Sequence, residues 1–163
     1  MRPEQNPQPL DETDRRILAE LQADGRMTNV ELAGRTGVSP PSCLRRVRRL
    51  EEAGYIQGYH ATTDGYKMGW QIVFFAIVGL ESQKQSVLSG FEGLVAAMPE
   101  VRECHMIRGG GDFLLKLVAR DAAHENQLTA RLTSAAHVAR VQTLQTIHTS
   151  RALPGVPVGA MNG

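Results

Sequence analysis

The spacing of the apolar residues changes close to Gly54, and this change divides the chain into two parts that cannot share one fold. From Asp11 up to this residue, apolar residues recur at intervals of three and four, which is the spacing of amphipathic helices. Residues 71–150 instead alternate between strand-like and helix-like stretches. Because 163 residues suffice for two small domains, the sequence predicts an α+β protein with a helical N-terminal domain and a mixed C-terminal domain.

Cap and stop residues divide the first part into three short helices. Ser39 followed by Pro40 is typical of a helix start, where a missing backbone N–H costs nothing. A tight turn containing Gly37 separates the second and third helices, and this arrangement is typical of a helix-turn-helix. The predicted helices run from Asp11 to Asp24, from Thr28 or Asn29 to Gly37, and from Ser39 to Gly54.

The predicted third helix concentrates positive charge on one face. Residues 39–50 contain four arginines and no acid, although the whole chain has a formal net charge of only +1. At about 100° per residue, the arginines fall opposite the apolar stripe of the helix. Such a face fits the phosphates and guanine edges of a DNA major groove. A solvated face with ion pairs, for example Arg48 with Glu52, produces the same pattern. Together with the preceding helix and turn, the pattern favours DNA binding.

The second part predicts the order βαββαβ, which is the ferredoxin-like arrangement. In such a sheet the helices cover one face, and the other face is available to pair with a second subunit. Short strands are expected directly after Gly54, in the stretch YIQGY, followed by a connector over residues 61–70. The predicted strands are residues 72–80, 101–108, 113–119 and 138–148, and the helices contain Val87 to Met98 and Leu128 with Leu132.

A glycine loop, residues 108–112 with the sequence RGGGD, joins the second and third predicted strands. Glycines adopt positive φ and expose backbone N–H groups, which can bind a carboxylate, and Asp112 can receive an ammonium group. These groups together fit the backbone of an amino acid. A flexible hairpin tip explains the same residues, whereas a nucleotide-phosphate loop lacks its GxGxxG or Walker pattern.

Other residues indicate neither a metal site nor catalysis. Cys43 and Cys104 are 61 residues apart, and no two histidines have the i, i+4 spacing of a helical metal site. We therefore expect no enzyme activity, no cofactor and no metal. The longest apolar run, residues 72–80, is too short for a membrane span, and residues 1–10 lack the apolar stretch of a signal peptide. These features predict a cytoplasmic protein that does not bind membranes.

Residues 10–59, LDETDRRILAELQADGRMTNVELAGRTGVSPPSCLRRVRRLEEAGYIQGY, closely resemble the DNA-binding half of the Lrp/AsnC family, the feast/famine regulators of bacteria and archaea. The resemblance continues through RECHMIRGGGDFLLK into the second part and covers about residues 10–150. Within the family the chain looks most like the leucine-responsive branch. The resemblance implies a helix-turn-helix (winged-helix-like) domain over residues 10–60 and a ferredoxin-like effector-binding and oligomerisation domain over residues 71–150. Residues 1–9, which contain three prolines, and residues 151–163, which are rich in Gly and Pro, are predicted to be flexible tails.

The resemblance also implies a function. Members are sequence-specific, nucleoid-associated transcription regulators that bind double-stranded DNA, dimerise through the βαββαβ domain and often assemble into tetramers or octamers. They bind small amino acids between adjacent dimers. By position, the DNA-binding residues are Ser39, Pro41, Ser42, Arg45, Arg46, Arg48 and Arg49, and the effector-binding residues are Gly109, Gly110, Gly111, Asp112, Thr143, Leu144, Gln145 and Thr146.

Two other functions remain open from the sequence. One is an architectural protein that wraps DNA without an effector and with little sequence preference. The other is an enzyme, or a metabolite-sensing subunit of one, built on the βαββαβ domain. Comparable affinities for specific and non-specific DNA favour the first, and turnover of an amino acid without DNA binding favours the second.

Overall fold

The computed structural model describes residues 9–158, which fall into two compact units. One unit contains residues 9–62 together with residues 151–158, and the other contains residues 63–150. The first unit is helical and the second combines a sheet with helices, so the predicted α+β class is confirmed. The parts of the expected tails at residues 1–8 and 159–163 lie outside the described residues.

Three helices form the first unit, and side-chain caps set the starts of the first two. Asp11 and Thr28 each accept the backbone N–H three residues later, and the side chain found there bonds back to the backbone of the cap. The second helix ends at Gly37, whose φ of 74° favours glycine. The helices are α1 (Glu12–Ala23), α2 (Asn29–Thr36) and α3 (Pro40–Glu52), and their shared core contains Ile17, Leu18, Leu32, Ala33, Cys43 and Leu50.

The short strands predicted directly after Gly54 are not formed. Gly54 has a φ of 75°, and the following backbone N–H groups turn back onto the end of α3. Tyr55 N and Ile56 N both donate to the carbonyl oxygen of Leu50, at 2.9 and 3.2 Å. Their side chains pack against the core of the first unit. Because these amide groups already have partners in the helix cap, they are not available to a strand ladder, and the described residues 53–71 contain no strand.

Tyr59 provides a spectroscopic test of this unit. Its hydroxyl donates to Glu51 Oε1 at 3.0 Å, and burial together with this carboxylate raises the pKa of Tyr59 to about 12. The protonated Tyr59 hydroxyl therefore contributes its full stabilisation of the folded state below pH 10, and this contribution is lost as the pH rises towards 12. In an ultraviolet titration, one of the three tyrosines should ionise near pH 12, and Tyr59→Phe should remove that component. Ionisation of Tyr59 near pH 10 in the folded protein would contradict this contact.

The second unit is a four-stranded antiparallel sheet with strand order β2-β3-β1-β4, as the ferredoxin-like prediction requires. Two predicted strands are shorter in the structure, since residues 107–108 turn into the glycine loop and residues 146–148 leave the sheet. A 3₁₀ turn at Tyr66–Met68 lies in the expected connector. The elements are β1 (Ile72–Leu80), α4 (Gln85–Ala96), β2 (Val101–Met106), β3 (Phe113–Ala119), α5 (Ala122–Thr133) and β4 (Val138–Gln145).

The two faces of this sheet differ in burial. Alternate residues of β1 and β3 are fully buried beneath α4 and α5, and Phe91 of α4 packs on Phe113 with ring centroids 4.9 Å apart. The opposite face carries Phe75 and Leu144, which face each other across β1 and β4. Phe75 is half-buried and Leu144 is 45% exposed. The second face therefore carries partly exposed apolar side chains, together with polar residues such as Lys116, which is opposite Phe75.

Candidate nucleic-acid interface and ligand cavity

The start and one side of α3 are exposed. Ser39 is the N-cap, yet its side chain makes no capping hydrogen bond with the described residues. Pro41, Arg45 and Arg48 are also exposed, and Ser42 is half-buried beside them. Within residues 9–158, neither Arg45 nor Arg48 forms an ion pair. This side of α3 therefore presents two free guanidinium groups and two hydroxyl groups.

Arg46 and Arg49 instead bind the first helix. Arg46 Nη1 lies 2.8 Å from Asp14 Oδ1 and 2.7 Å from Asp11 Oδ2, and Arg49 Nη2 bonds to Asp14 Oδ2. The Asp14 side chain is 1% exposed, whereas the two arginine side chains are 26% and 43% exposed. The buried Asp14 carboxylate thus has two charge-assisted contacts and a backbone donor from Asp11, and both of its oxygens are satisfied.

This ion-pair cluster corrects the sequence interpretation in which all four arginines share one DNA-facing surface. Arg46 lies beside the apolar stripe of α3, so its side chain turns toward α1 rather than away from the domain. The sequence also allowed a solvated helix face with ion pairs, for example between Arg48 and Glu52. Ion pairs are present, but they join α3 to α1 and do not involve Glu52. Sequence reasoning missed Asp14, although a carboxylate at the third position of a capped helix is a signal for a cap.

Asp11 also responds to this cluster. Its carboxylate accepts the Asp14 backbone N–H at 2.8 Å, and this bond is the main reason that the pKa of Asp11 is lowered. The Arg46 guanidinium contributes next, and Asp11 in turn raises the pKa of Arg46. Since the folded pKa of Asp11 is lowered, its stabilisation is present above the usual value of 3.8 and is lost as the pH falls through the folded value.

A cavity of about 720 Å³ lies in the second unit beside the glycine loop. This volume is within the range of small-molecule sites. Gly109, Gly111 and Asp112 line it, as the sequence predicted for a binding loop, whereas Gly110 bonds through its carbonyl oxygen to Arg140. The remaining lining includes aliphatic side chains, one amide and two guanidinium groups: Gly79, Leu80, Gln83, Leu88, Met106, Ile107, Arg108, Ala139 and Arg140.

Asp112 has a structural role that the sequence did not indicate. Its Oδ2 accepts the Leu80 backbone N–H at 2.7 Å, and its Oδ1 accepts the Gln83 side-chain amide at 3.0 Å. Its own N–H donates to Val78 O at 2.8 Å. Asp112 therefore fastens the glycine loop to the end of β1, and each carboxylate oxygen keeps one further lone pair for a ligand.

The second group of predicted effector residues lies elsewhere on the sheet. Because β4 is antiparallel to β1, its first residues border the cavity, and its later residues pair with the opposite end of β1. Thr143 is opposite Ala76, Gln145 is opposite Phe74, and Thr146 N donates to Val73 O. Within one chain, Ala139 and Arg140 are the β4 residues that line the cavity. The assignment of Thr143, Leu144, Gln145 and Thr146 to a site between adjacent dimers stays a prediction.

The glycine loop contains one position where a side chain has no room. A Cβ on Gly111 would lie 2.7 Å from Ile77 Cγ2 and 3.0 Å from the backbone oxygen of Val78, whereas a Cβ on Gly110 would meet no described atom within 4 Å. We expect Gly111→Ala to destabilise the second unit by about 1–3 kcal/mol. Gly110→Ala is the matched control and should change stability by less than about 0.5 kcal/mol in urea unfolding. Equal stability of the two variants would contradict this packing.

The described residues contain neither a membrane-spanning helix nor a metal-binding cluster. None of the helices within residues 9–158 has the length and apolar character needed to cross a membrane. Over the same residues, no group of three or more His, Cys, Asp or Glu side chains is placed to hold a metal ion.

Comparison with known proteins assigns a role to each unit. Residues 10–57 match the family model described as winged helix-turn-helix DNA-binding. Residues 73–153 match the model described as the Lrp/AsnC ligand binding domain. A DNA-binding domain joined to a ligand-binding domain defines an effector-responsive transcription regulator.

Whole-chain similarities place the protein in a family. It is 48% identical to the leucine-responsive regulatory protein of Rhizobium meliloti over 139 residues, which are 85% of this chain and 89% of the relative. It is 42% identical to the Escherichia coli K12 leucine-responsive regulatory protein over 119 residues, 73% of each chain. The chain belongs to the Lrp/AsnC family of transcription regulators, which confirms the resemblance seen in the sequence.

Solved structures share this fold. A Neisseria meningitidis transcriptional regulator in complex with L-methionine is 30% identical, with a TM-score of 0.87 over 92% of this chain and 97% of that chain. A Mycobacterium tuberculosis feast or famine regulatory protein complexed with L-methionine is also 30% identical, with a TM-score of 0.79 over 88% of this chain and 96% of that chain. Both relatives are therefore regulators that bind an amino acid.

Proposed function

We propose that this regulator binds double-stranded DNA with the exposed side of α3 and that a small amino acid in the ligand cavity changes that binding. One observation supports this proposal most strongly. The first unit has exposed guanidinium groups without ion pairs among the described residues, and the second unit has a cavity lined by aliphatic and cationic side chains. The proposal excludes enzyme activity, a cofactor and a membrane partner. Because its target is the chromosome, we place the protein in the cytoplasm, associated with the nucleoid.

For DNA binding we assign the contacts to Arg45 and Arg48, with Ser39, Pro41 and Ser42 at the start of the helix. Arginine side chains without a protein partner are available to phosphates and guanine edges, and their planar fork fits both. Arg46 and Arg49, which the resemblance also placed at the DNA, are assigned mainly to holding α3 against α1, since both are bonded to Asp14.

We propose that identical subunits pair through the open sheet face. A chain with one recognition helix contacts one half-site, so two copies are needed to read a two-fold symmetric operator. Phe75, Ile77 and Leu114 lie half-buried on this face, and Leu144 is 45% exposed, which is suitable for a dimer interface. We propose that such dimers assemble further, and that Thr143 to Thr146 approach a ligand cavity only as residues of another copy.

For the effector we propose a small amino acid. The aliphatic side chains of the cavity fit an apolar ligand side chain, and Arg108 or Arg140 fits its carboxylate. We assign Asp112 and backbone carbonyl oxygens as the acceptors for the ammonium group of the ligand. The complexes of two relatives with L-methionine support this class of ligand.

A thermal-shift panel of the purified protein against the common amino acids, L-methionine included, tests the effector. A ligand present at 100 times its Kd stabilises the folded protein by about 2.7 kcal/mol, which is a clear rise in melting temperature. Arg140→Gln should reduce the shift, and Arg102→Gln, an exposed arginine of β2 outside the cavity lining, is the matched control. If no amino acid stabilises the protein, the effector proposal is wrong and an architectural, effector-independent role replaces it.

A further inference from the structure

Residues 151–158, here called the C-terminal clasp, return to the first unit. They form no helix or strand, yet Gln22 of α1 donates from Nε2 to the Val156 carbonyl oxygen at 3.0 Å. Val158 is half-buried and packs against the core of the three-helix unit. The expected flexible tail at 151–163 is therefore, over its described part, a segment with two specific contacts on the DNA-binding unit.

The backbone of the clasp is shaped for this docking. Gly155 has a φ of 68°, which favours glycine, and a Cβ there would lie 2.5 Å from Gln22 Nε2. Pro154 and Pro157 flank this residue and restrict the chain on both sides. Gly155, Val156 and Val158 lie beyond both family matches, which end at residues 57 and 153.

The clasp gives the second unit two connections to the first. One is the connector after Ile56, which packs on the core of the three helices and leads to β1. The other begins where Thr146 N donates to Val73 O, at the end of β4, and ends where Val158 packs on the same core. A domain held at both ends of its chain has fewer accessible orientations than one held by a single flexible connector.

We propose that the clasp acts as a second tether that limits reorientation of the DNA-binding unit and thereby raises affinity for DNA with two half-sites. Simultaneous binding of two half-sites requires both units of a pair to take defined orientations, and restricting them in advance lowers the entropic cost of binding. This inference rests on the proposed pairing of subunits.

The test compares Val158→Asp, which places a charge in the half-buried position, with Leu153→Asp as the matched control. Leu153 lies in the same segment and is 68% exposed. Fluorescence anisotropy is measured with a selected duplex carrying two half-sites and with one carrying a single half-site. We expect Val158→Asp to raise the Kd for two half-sites about tenfold and to change the Kd for one half-site less than twofold. Leu153→Asp should match the wild type on both duplexes.

A chain ending at Pro154 is the second variant, so that the result does not depend on the folding of Val158→Asp alone. Sedimentation velocity on the same samples reports the assembly. If both variants form wild-type assemblies and bind the two-half-site duplex as tightly as the wild type, the tether is overturned while the pairing stands. If the wild type sediments as a monomer with DNA and without it, the pairing is overturned, and the tether with it.

Discussion

Replacing Asp14 with asparagine is expected to lower the free energy of unfolding of the DNA-binding unit by about 2–3 kcal/mol. Asp14 has a 1% exposed side chain and binds Arg46 and Arg49, so the neutral amide leaves Arg49 without its counter-charge and Arg46 with Asp11 as its remaining one. The cost is below that of a fully buried pair because the arginines are 26% and 43% exposed and solvent screens part of the loss.

Hydrogen exchange shows whether the loss of stability in Asp14→Asn is confined to the three-helix unit. A loss of about 2 kcal/mol should accelerate exchange of the α1, α2 and α3 amides about 30-fold, with the strand amides of the second unit unchanged. Glu12→Gln is the matched control, because Glu12 is an exposed carboxylate in the first turn of the same helix. Unchanged exchange in Asp14→Asn would show that the ion-pair cluster does not hold α3 against α1.

Replacing Arg45 or Arg48 with alanine is expected to weaken DNA binding about tenfold at 0.1 M salt and to reduce the salt slope of log Kd by about one per residue. Both side chains are exposed and are free of ion pairs within residues 9–158, so each can replace a counterion at a phosphate. Neither change removes a contact of the folded domain, so stability should stay within about 0.5 kcal/mol.

Two comparisons make this result interpretable. Arg26→Ala removes the same charge from an exposed position between α1 and α2 and should leave the salt slope nearly unchanged. Arg46→Ala should lower stability, because Asp14 loses a partner, as well as DNA affinity. The assignment fails if Arg45→Ala and Arg48→Ala bind DNA as the wild type does while Arg46→Ala alone reduces the salt slope without loss of stability.

The elements of this fold are readable in the sequence because local and long-range signals agree. Asp11, Thr28 and Gly37 are caps whose chemistry acts within a few residues, and they mark helix ends correctly. The apolar run of β1 also predicts the strand with its observed bounds. The strands expected after Gly54 are absent because the backbone N–H groups of Tyr55 and Ile56 bond to the carbonyl oxygen of Leu50. The hydropathy pattern does not show which acceptor these groups use.

The site was predictable in part. The glycine loop and Asp112 do line a cavity, and the loop position follows from strand order alone. The separation of the arginines was not predictable, because the angular position of Arg46 on an isolated helix does not show that Asp14 lies opposite it. The same holds for Thr143 to Thr146, whose distance from the loop depends on the antiparallel register of β4. In both cases the observed position depends on contacts between elements that are distant in sequence.

The most direct test of the account is the DNA affinity of the wild-type protein measured with and without a saturating amino acid. A labelled duplex selected from a random library is titrated first without ligand, then with L-methionine, and then with each amino acid that raises the melting temperature. A coupled regulator should show a change in Kd of at least about fivefold with one of these ligands, in the range of known allosteric couplings. An identical Kd with a ligand shown to be bound would contradict the account, because the cavity and α3 would then act independently.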